Sequence, residues 1–210
     1  MTTPRHSSSR YAVGNRQGAD GDLATVTISQ DYRSSVQDVW EACTTADRLA
    51  RWFQPVSGDL SLGGRYEVQG NASGTVTSCE PPRFFAATWE FAGATSWIEV
   101  RINECEEGAT LELTHLAEPG GEHWDRYGPG AVGIGWDQAL LGLSMYLQTG
   151  ASMSPAEAES WSVSEEGKAF LGASALSWAT AAQAAGADPR IARAQAARTT
   201  AFYTGQAEPE

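Results

Sequence analysis

Residues 31–53 read DYRSSVQDVWEACTTADRLARWF, and the fold is decided there. Ser34 or Ser35 supplies a side-chain oxygen that can cap a helix, and the apolar positions that follow, Val36, Val39, Trp40 and Cys43, recur at helical spacing. A second short helix carries Leu49, Trp52 and Phe53 on one side and ends by Pro55. Immediately before this pair, ATVTISQDY (24–32) alternates Val26 and Ile28 with Thr and Ser, the pattern of a strand.

After the helix pair the period changes from 3.6 to 2. Strands are expected over Asp59 to Leu62, over Arg65 to Gln69 with Tyr66 and Val68 on one face, and over Thr75 to Glu80. Further strands are expected over Arg83 to Phe91, Ser96 to Ile102 and Thr110 to Leu116. Their apolar faces hold Phe85, Ala87, Trp89 and Phe91, then Ile98, Val100 and Ile102, then Leu111, Leu113 and His115. Gly63-Gly64, Asn71 to Gly74 and Glu106-Glu107-Gly108 are turn signals, and connections this short make antiparallel neighbours. An apolar face on each strand needs a cover. A long helix ending near Gln148 provides it, with Val132, Trp136, Ala139, Leu140, Leu143 and Leu147 as its stripe. The expected class is α+β, a helix-grip (START-like) fold in which a curved antiparallel sheet wraps a long helix.

Both flanks differ from this middle part. Residues 1–22 are rich in Ser, Gly and Arg without apolar periodicity and are expected to be a disordered tail ahead of a domain at 23–149. Residues 150–210 are Ala-rich and helical by propensity. Ser154-Pro155-Ala156-Glu157, Ser164-Glu165-Glu166 and Asp188-Pro189 mark three helix starts. This extension packs on the parent domain or makes a homodimer.

The formal net charge of −12 over 210 residues repels phosphate backbones and anionic lipid, so neither nucleic acid nor a membrane is an expected partner. No apolar run reaches the length of a membrane span, and the N-terminus lacks the apolar core of a secretory signal. Cys43, Cys79 and Cys105 form neither a disulfide framework nor a zinc pattern. A reducing cytoplasm is the expected location. No phosphate loop, dinucleotide fingerprint or nucleophile elbow occurs, so no cofactor, metal or catalytic nucleophile is expected.

Several residues then form a pattern. Tyr32, Val39-Trp40, Trp52-Phe53, Gly63-Gly64-Arg65-Tyr66, Pro81 to Glu90, Leu113-Thr114-His115 and Gly135-Trp136 stand in an order and spacing that resembles the SRPBCC (START-like) superfamily. The resemblance is to bacterial homologues of the heat-shock protein 90 ATPase activator C-terminal domain and covers about 24–147. It implies a helix-grip fold. It also implies one of three roles: a carrier of a small apolar ligand, a polyketide cyclase or hydratase-like enzyme, or a chaperone-accessory interaction module.

The leading expectation is a small hydrophobic or aromatic molecule held between sheet and long helix. Tyr66, Trp89, Leu113, His115, Trp136 and Leu140 line the expected cavity, and Trp52, His123 and Trp124 close its mouth. His115 is the one inward polar group able to orient a ligand or act as a base. No inward Arg or Lys is expected, because Arg65 and Arg101 alternate to the other face.

Overall fold

The computed structural model describes residues 9–19 and 21–209. Among them the chain runs β1 (Arg10–Gln17), β2 (Asp22–Tyr32), α1 (Val36–Thr44), α2 (Ala46–Trp52), β3 (Val56–Gly58), β4 (Arg65–Val68), β5 (Ser73–Glu80), β6 (Phe84–Phe91), β7 (Ala94–Cys105) and β8 (Gly108–Ala117). Five helices follow: α3 (Glu122–Tyr127), α4 (Gly130–Thr149), α5 (Pro155–Ser162), α6 (Glu165–Ala184) and α7 (Pro189–Thr204). The strands form one sheet in the order β1-β2-β8-β7-β6-β5-β4-β3. Every pairing from β3 to β8 is antiparallel.

The chain divides into two compact units. The first holds Ile28–Ala117 and Ala139–Ser152 with the described residues up to Arg10. Its sheet presents Val76, Ala87, Ile98, Val100, Ile102, Leu111 and Leu113 as a buried apolar face. Helix α1 lies against β7 and β8, and Val36, Val39, Trp40 and Cys43 are its buried side chains. The second half of α4 also belongs to this unit, with Leu140, Leu143 and Ser144 buried. Gly142 lets α4 approach α2 closely, since a methyl group there would overlap the Trp52 carbonyl.

The second unit holds Tyr11–Thr27, Glu118–Gln138 and the chain from Met153 onward. Its helices begin where side chains can satisfy the free N–H groups of a first turn. Ser154 and Glu157 form a reciprocal capping box, Ser164 accepts from Gly167 N, and Asp188 accepts from Arg190 N and Ile191 N. The core of this unit is Leu171, Ala175, Trp178, Ala179 and Ala182 of α6 with Ala192, Ala196 and Thr199 of α7.

Several expectations are corrected here. The tail assigned to 1–22 is a strand over Arg10–Gln17; the run around Tyr11 and Val13 is weakly apolar by itself and gains its order by joining the sheet beside β2. Residues 1–8 and Asp20 lie outside the described residues. The strand expected over Asp59 to Leu62 is instead Val56–Gly58, and the Gly- and Pro-rich loop after β8 contains α3. On α4, Trp136 is only half-buried, whereas Ile134 and Asp137 are buried. On α7, Ile191 and Phe202 are exposed, and the buried face is Ala192, Ala196 and Thr199.

The β6–β7 hairpin closes with Ala92 (φ 50°) and Gly93 (φ 82°) between the paired residues Phe91 and Ala94. Two positive φ values suit the twist of a two-residue hairpin, but Ala carries a Cβ penalty there. Ala92→Asn is expected to raise stability by about 0.5–1 kcal/mol, because Asn tolerates the left-handed region. A urea midpoint that falls instead would show that the turn needs the methyl group.

Candidate ligand-binding site

Alternation along β6, β7 and β8 carries Trp89, Ser96, Ile98, Leu113 and His115 to one face of the first unit's sheet. Register then sets their spacing. Trp89 stands opposite Ser96, Ile98 opposite His115 and Val100 opposite Leu113. Ser96 and His115 are thus diagonal neighbours, and His115 Nε2 lies 2.8 Å from Ser96 Oγ. The Ser96 hydroxyl donates to the Trp89 carbonyl at 3.1 Å. With that single proton so placed, His115 Nε2–H is the donor across the 2.8 Å contact. The indole of Trp89 stands edge-on to the imidazole with centroids 6.3 Å apart.

His115 is buried, and burial pushes its pKa down to about 4. At neutral pH the ring is therefore uncharged. A neutral imidazole bonded to a hydroxyl on an otherwise apolar face can orient a carbonyl or hydroxyl without placing a buried charge beside it.

The other expected residues fall into two groups. In the first unit, Tyr66 is buried and donates to the Thr88 carbonyl at 2.6 Å, and burial pushes its phenol up to about 12. It crosses Gly74, where a methyl group would overlap both the Tyr66 hydroxyl and that carbonyl. Trp52 is half-buried and donates its indole N–H to the Ala42 carbonyl at 2.9 Å. Leu113 and Leu140 are buried, and the Leu140 carbonyl accepts from Tyr32 Oη at 3.5 Å.

In the second unit stand His123, Trp124 and Trp136. His123 is exposed on α3 with its ring 4.9 Å from that of Tyr127. The α3 segment is held by α7, whose side chains cap its last carbonyls: Gln195 Nε2 donates to Trp124 O and Asp125 O, Arg198 Nε to Arg126 O, and Thr199 Oγ1 to Tyr127 O. Glu208 completes the clamp by accepting from Tyr127 Oη and from the Arg126 guanidinium.

Two functional-looking side chains escaped the sequence reading. Ser96 shares the parity of Ile98, Val100 and Ile102 and was legible as inward from that alone. Asp137 is the single charged residue of α4, yet it is 4% exposed. Its carboxylate accepts from Tyr11 Oη at 2.9 Å, Trp178 Nε1 at 2.8 Å and Ser174 Oγ at 2.5 Å. Burial raises its pKa, against the opposing pull of the Ser174, Trp178 and Tyr11 bonds. A recess of about 530 Å³ in the first unit is lined by Tyr66 together with Arg65, Glu67, Ser73 and Glu90, which belong to the solvent-facing side of the sheet.

The chain is similar to known proteins over most of its length. A family model described as Activator of Hsp90 ATPase homolog 1-like protein matches residues 33–148. CalU16 from Micromonospora echinospora is similar in its solution structure at 31% identity and a TM-score of 0.72, covering 88% of this chain and 100% of that one. Its crystal structure gives 33% identity and a TM-score of 0.63 over 84% of this chain and 99% of that one. The residues up to the end of the family match at 148 cannot supply such coverage, so the similarity runs into the C-terminal helices. An HSP90 activator from Plasmodium falciparum, 23% identical with a TM-score of 0.51 over 60% of this chain and 96% of that one, shares the fold. No curated protein searched is significantly similar.

Proposed function

The chain belongs to the Activator of Hsp90 ATPase homolog 1-like family of helix-grip proteins, and from that premise we propose that it binds and carries a small, uncharged molecule of aromatic character on the inner sheet face of its first unit. The observation that carries this reading is the His115–Ser96 pair beside the half-buried indole of Trp89. Flat apolar rings favour flat ligands by offset or edge contact. The neutral imidazole supplies one orienting group. A fully ionised ligand is disfavoured, since Arg65 and Arg101 are exposed on the opposite side. Trp52, Tyr66, Leu113 and Leu140 complete the proposed wall. Among the described residues no helix is long and apolar enough to cross a membrane.

The test is a titration of intrinsic Trp fluorescence with a panel of hydrophobic aromatic compounds, run on the wild type and on His115→Ala. Saturable quenching at micromolar concentration is expected, weakened by about tenfold in the variant through loss of one ligand hydrogen bond. Absence of saturable quenching across the panel overturns the carrier reading. Equal affinity in His115→Ala removes His115 from its orienting role.

A further inference from the structure

The connection from α2 to β3 carries the one buried side-chain polar atom without a hydrogen-bond partner among the described residues, Gln54 Oε1. The residue as a whole is half-buried, but solvent does not reach this oxygen. A buried acceptor left unmade costs free energy, so native chains nearly always supply it with a donor. The donors that neighbouring elements offer are committed elsewhere. The Trp52 indole N–H bonds the Ala42 carbonyl, and the Tyr66 hydroxyl bonds the Thr88 carbonyl.

Strand register shows which side of the sheet Gln54 takes. Val56 stands opposite Val68, and Gln69 N donates to Pro55 O at 3.0 Å, which carries the ladder one residue ahead of β3. Alternation then places Gln54 on the side of Val56. That face continues through Val68 and Tyr66 on β4 to Gly74, opposite Tyr66, and Val76 on β5. From Val76 it passes to Ala87, Ile98 and His115, each opposite the one before. Val68, Tyr66, Val76, Ala87, Ile98 and His115 are all buried. Gln54 thus shares the inner face of the His115–Ser96 pair and Trp89. The half-buried rings of Trp52 and Phe53, with centroids 5.6 Å apart, immediately precede it.

We propose that Gln54 is a specificity-determining residue of the carrier site, its Oε1 accepting a hydrogen bond from a hydroxyl on the bound aromatic molecule, an assignment that rests on the inner-face reading. The donor is a neutral one. An ammonium group would need a carboxylate beside it, and the run from Val56 to His115 along this face has none. A hydroxyl supplies the missing hydrogen bond without burying a charge. β3 lies three strands from the β6 that carries Trp89, about 14 Å along the sheet. The hydroxyl therefore sits at the end of an elongated ring system. A site that bonds a hydroxyl rejects the analogue lacking it, because the protein acceptor is then left buried and unpaired.

The experiment compares matched pairs by Trp fluorescence titration: para-phenylphenol with para-fluorobiphenyl, and para-hydroxystilbene with para-fluorostilbene. Fluorine is close to the hydroxyl in size and offers no proton. The wild type is expected to bind each hydroxyl compound about tenfold more tightly than its fluoro match. Gln54→Met, of similar length and without the acceptor, is expected to bind both members of a pair equally. Its urea midpoint is expected at or above that of wild type, since it removes an unpaired acceptor. The proposal is overturned if the wild type binds both members of each pair equally, which would show that solvent serves the oxygen in the complex, or if the preference survives in Gln54→Met. A lower urea midpoint for Gln54→Met overturns it too, by showing that the oxygen is bonded in the free protein. So does tighter binding of para-acetylbiphenyl than of para-phenylphenol, which would turn the amide N–H inward. If no aromatic compound binds at all, the carrier reading falls and this assignment with it; binding without a hydroxyl preference removes Gln54 alone.

Discussion

Trp178→Ala is expected to lower the unfolding free energy by roughly 3–5 kcal/mol, the range for removing a fully buried large aromatic side chain. Trp178 is 0% exposed. Its ring stands edge-on to Tyr11 with centroids 4.9 Å apart, and its N–H is bonded to Asp137. Gly133 sits under the indole so closely that a methyl group there would overlap the ring. The side chain therefore joins β1, α4 and α6 within the second unit, and its loss leaves a cavity and removes one of the three donors to the Asp137 carboxylate. Trp178→Phe keeps most of the packing and loses the donor, so its cost is expected to be about 1–3 kcal/mol. Urea unfolding followed by far-ultraviolet circular dichroism measures both. If Trp178→Ala unfolds within about 1 kcal/mol of wild type, the indole is not the anchor of this unit.

Asp137→Ala is expected to cost about 3–5 kcal/mol, whereas Asp137→Asn should cost less than half as much. Alanine leaves three buried donors, from Tyr11, Ser174 and Trp178, with no acceptor. Asparagine keeps an acceptor oxygen for Trp178 and Ser174, and the Tyr11 hydroxyl can turn to accept from the amide. The pH dependence separates the two further. Burial holds the Asp137 pKa above its usual value, so the folded state binds this proton more tightly than the unfolded state does. Its contribution to stability is present below the unfolded pKa and is lost as pH rises through the raised folded pKa. Asp137→Asn cannot titrate and should remove that component from a stability-versus-pH curve. A variant curve with the wild-type slope would show that Asp137 does not carry it.

The sequence by itself determined the features set by contacts between near neighbours. Ser35, Ser154, Ser164 and Asp188 begin helices because a side-chain oxygen reaches an N–H two or three residues on, whatever the rest of the chain does. The strand faces Ile98–Val100–Ile102 and Leu111–Leu113–His115 follow from strict alternation, and with the α1–α2 pattern they were sufficient for the fold class. Helix α4 had no such contrast. GAVGIGWDQALLGLSMYLQT is apolar nearly all round, so its period could not say that Asp137 and Ile134 turn inward while Trp136 is half-exposed. Helix packing and strand register made those choices, and both depend on residues far away in sequence. Gly133 against Trp178, 45 positions on, fixes the approach of α6 to α4. One step of register would separate Ser96 from His115 and turn Gln54 off their face. The candidate site was thus decided by tertiary structure, because it is built from side chains that only strand pairing brings to one face.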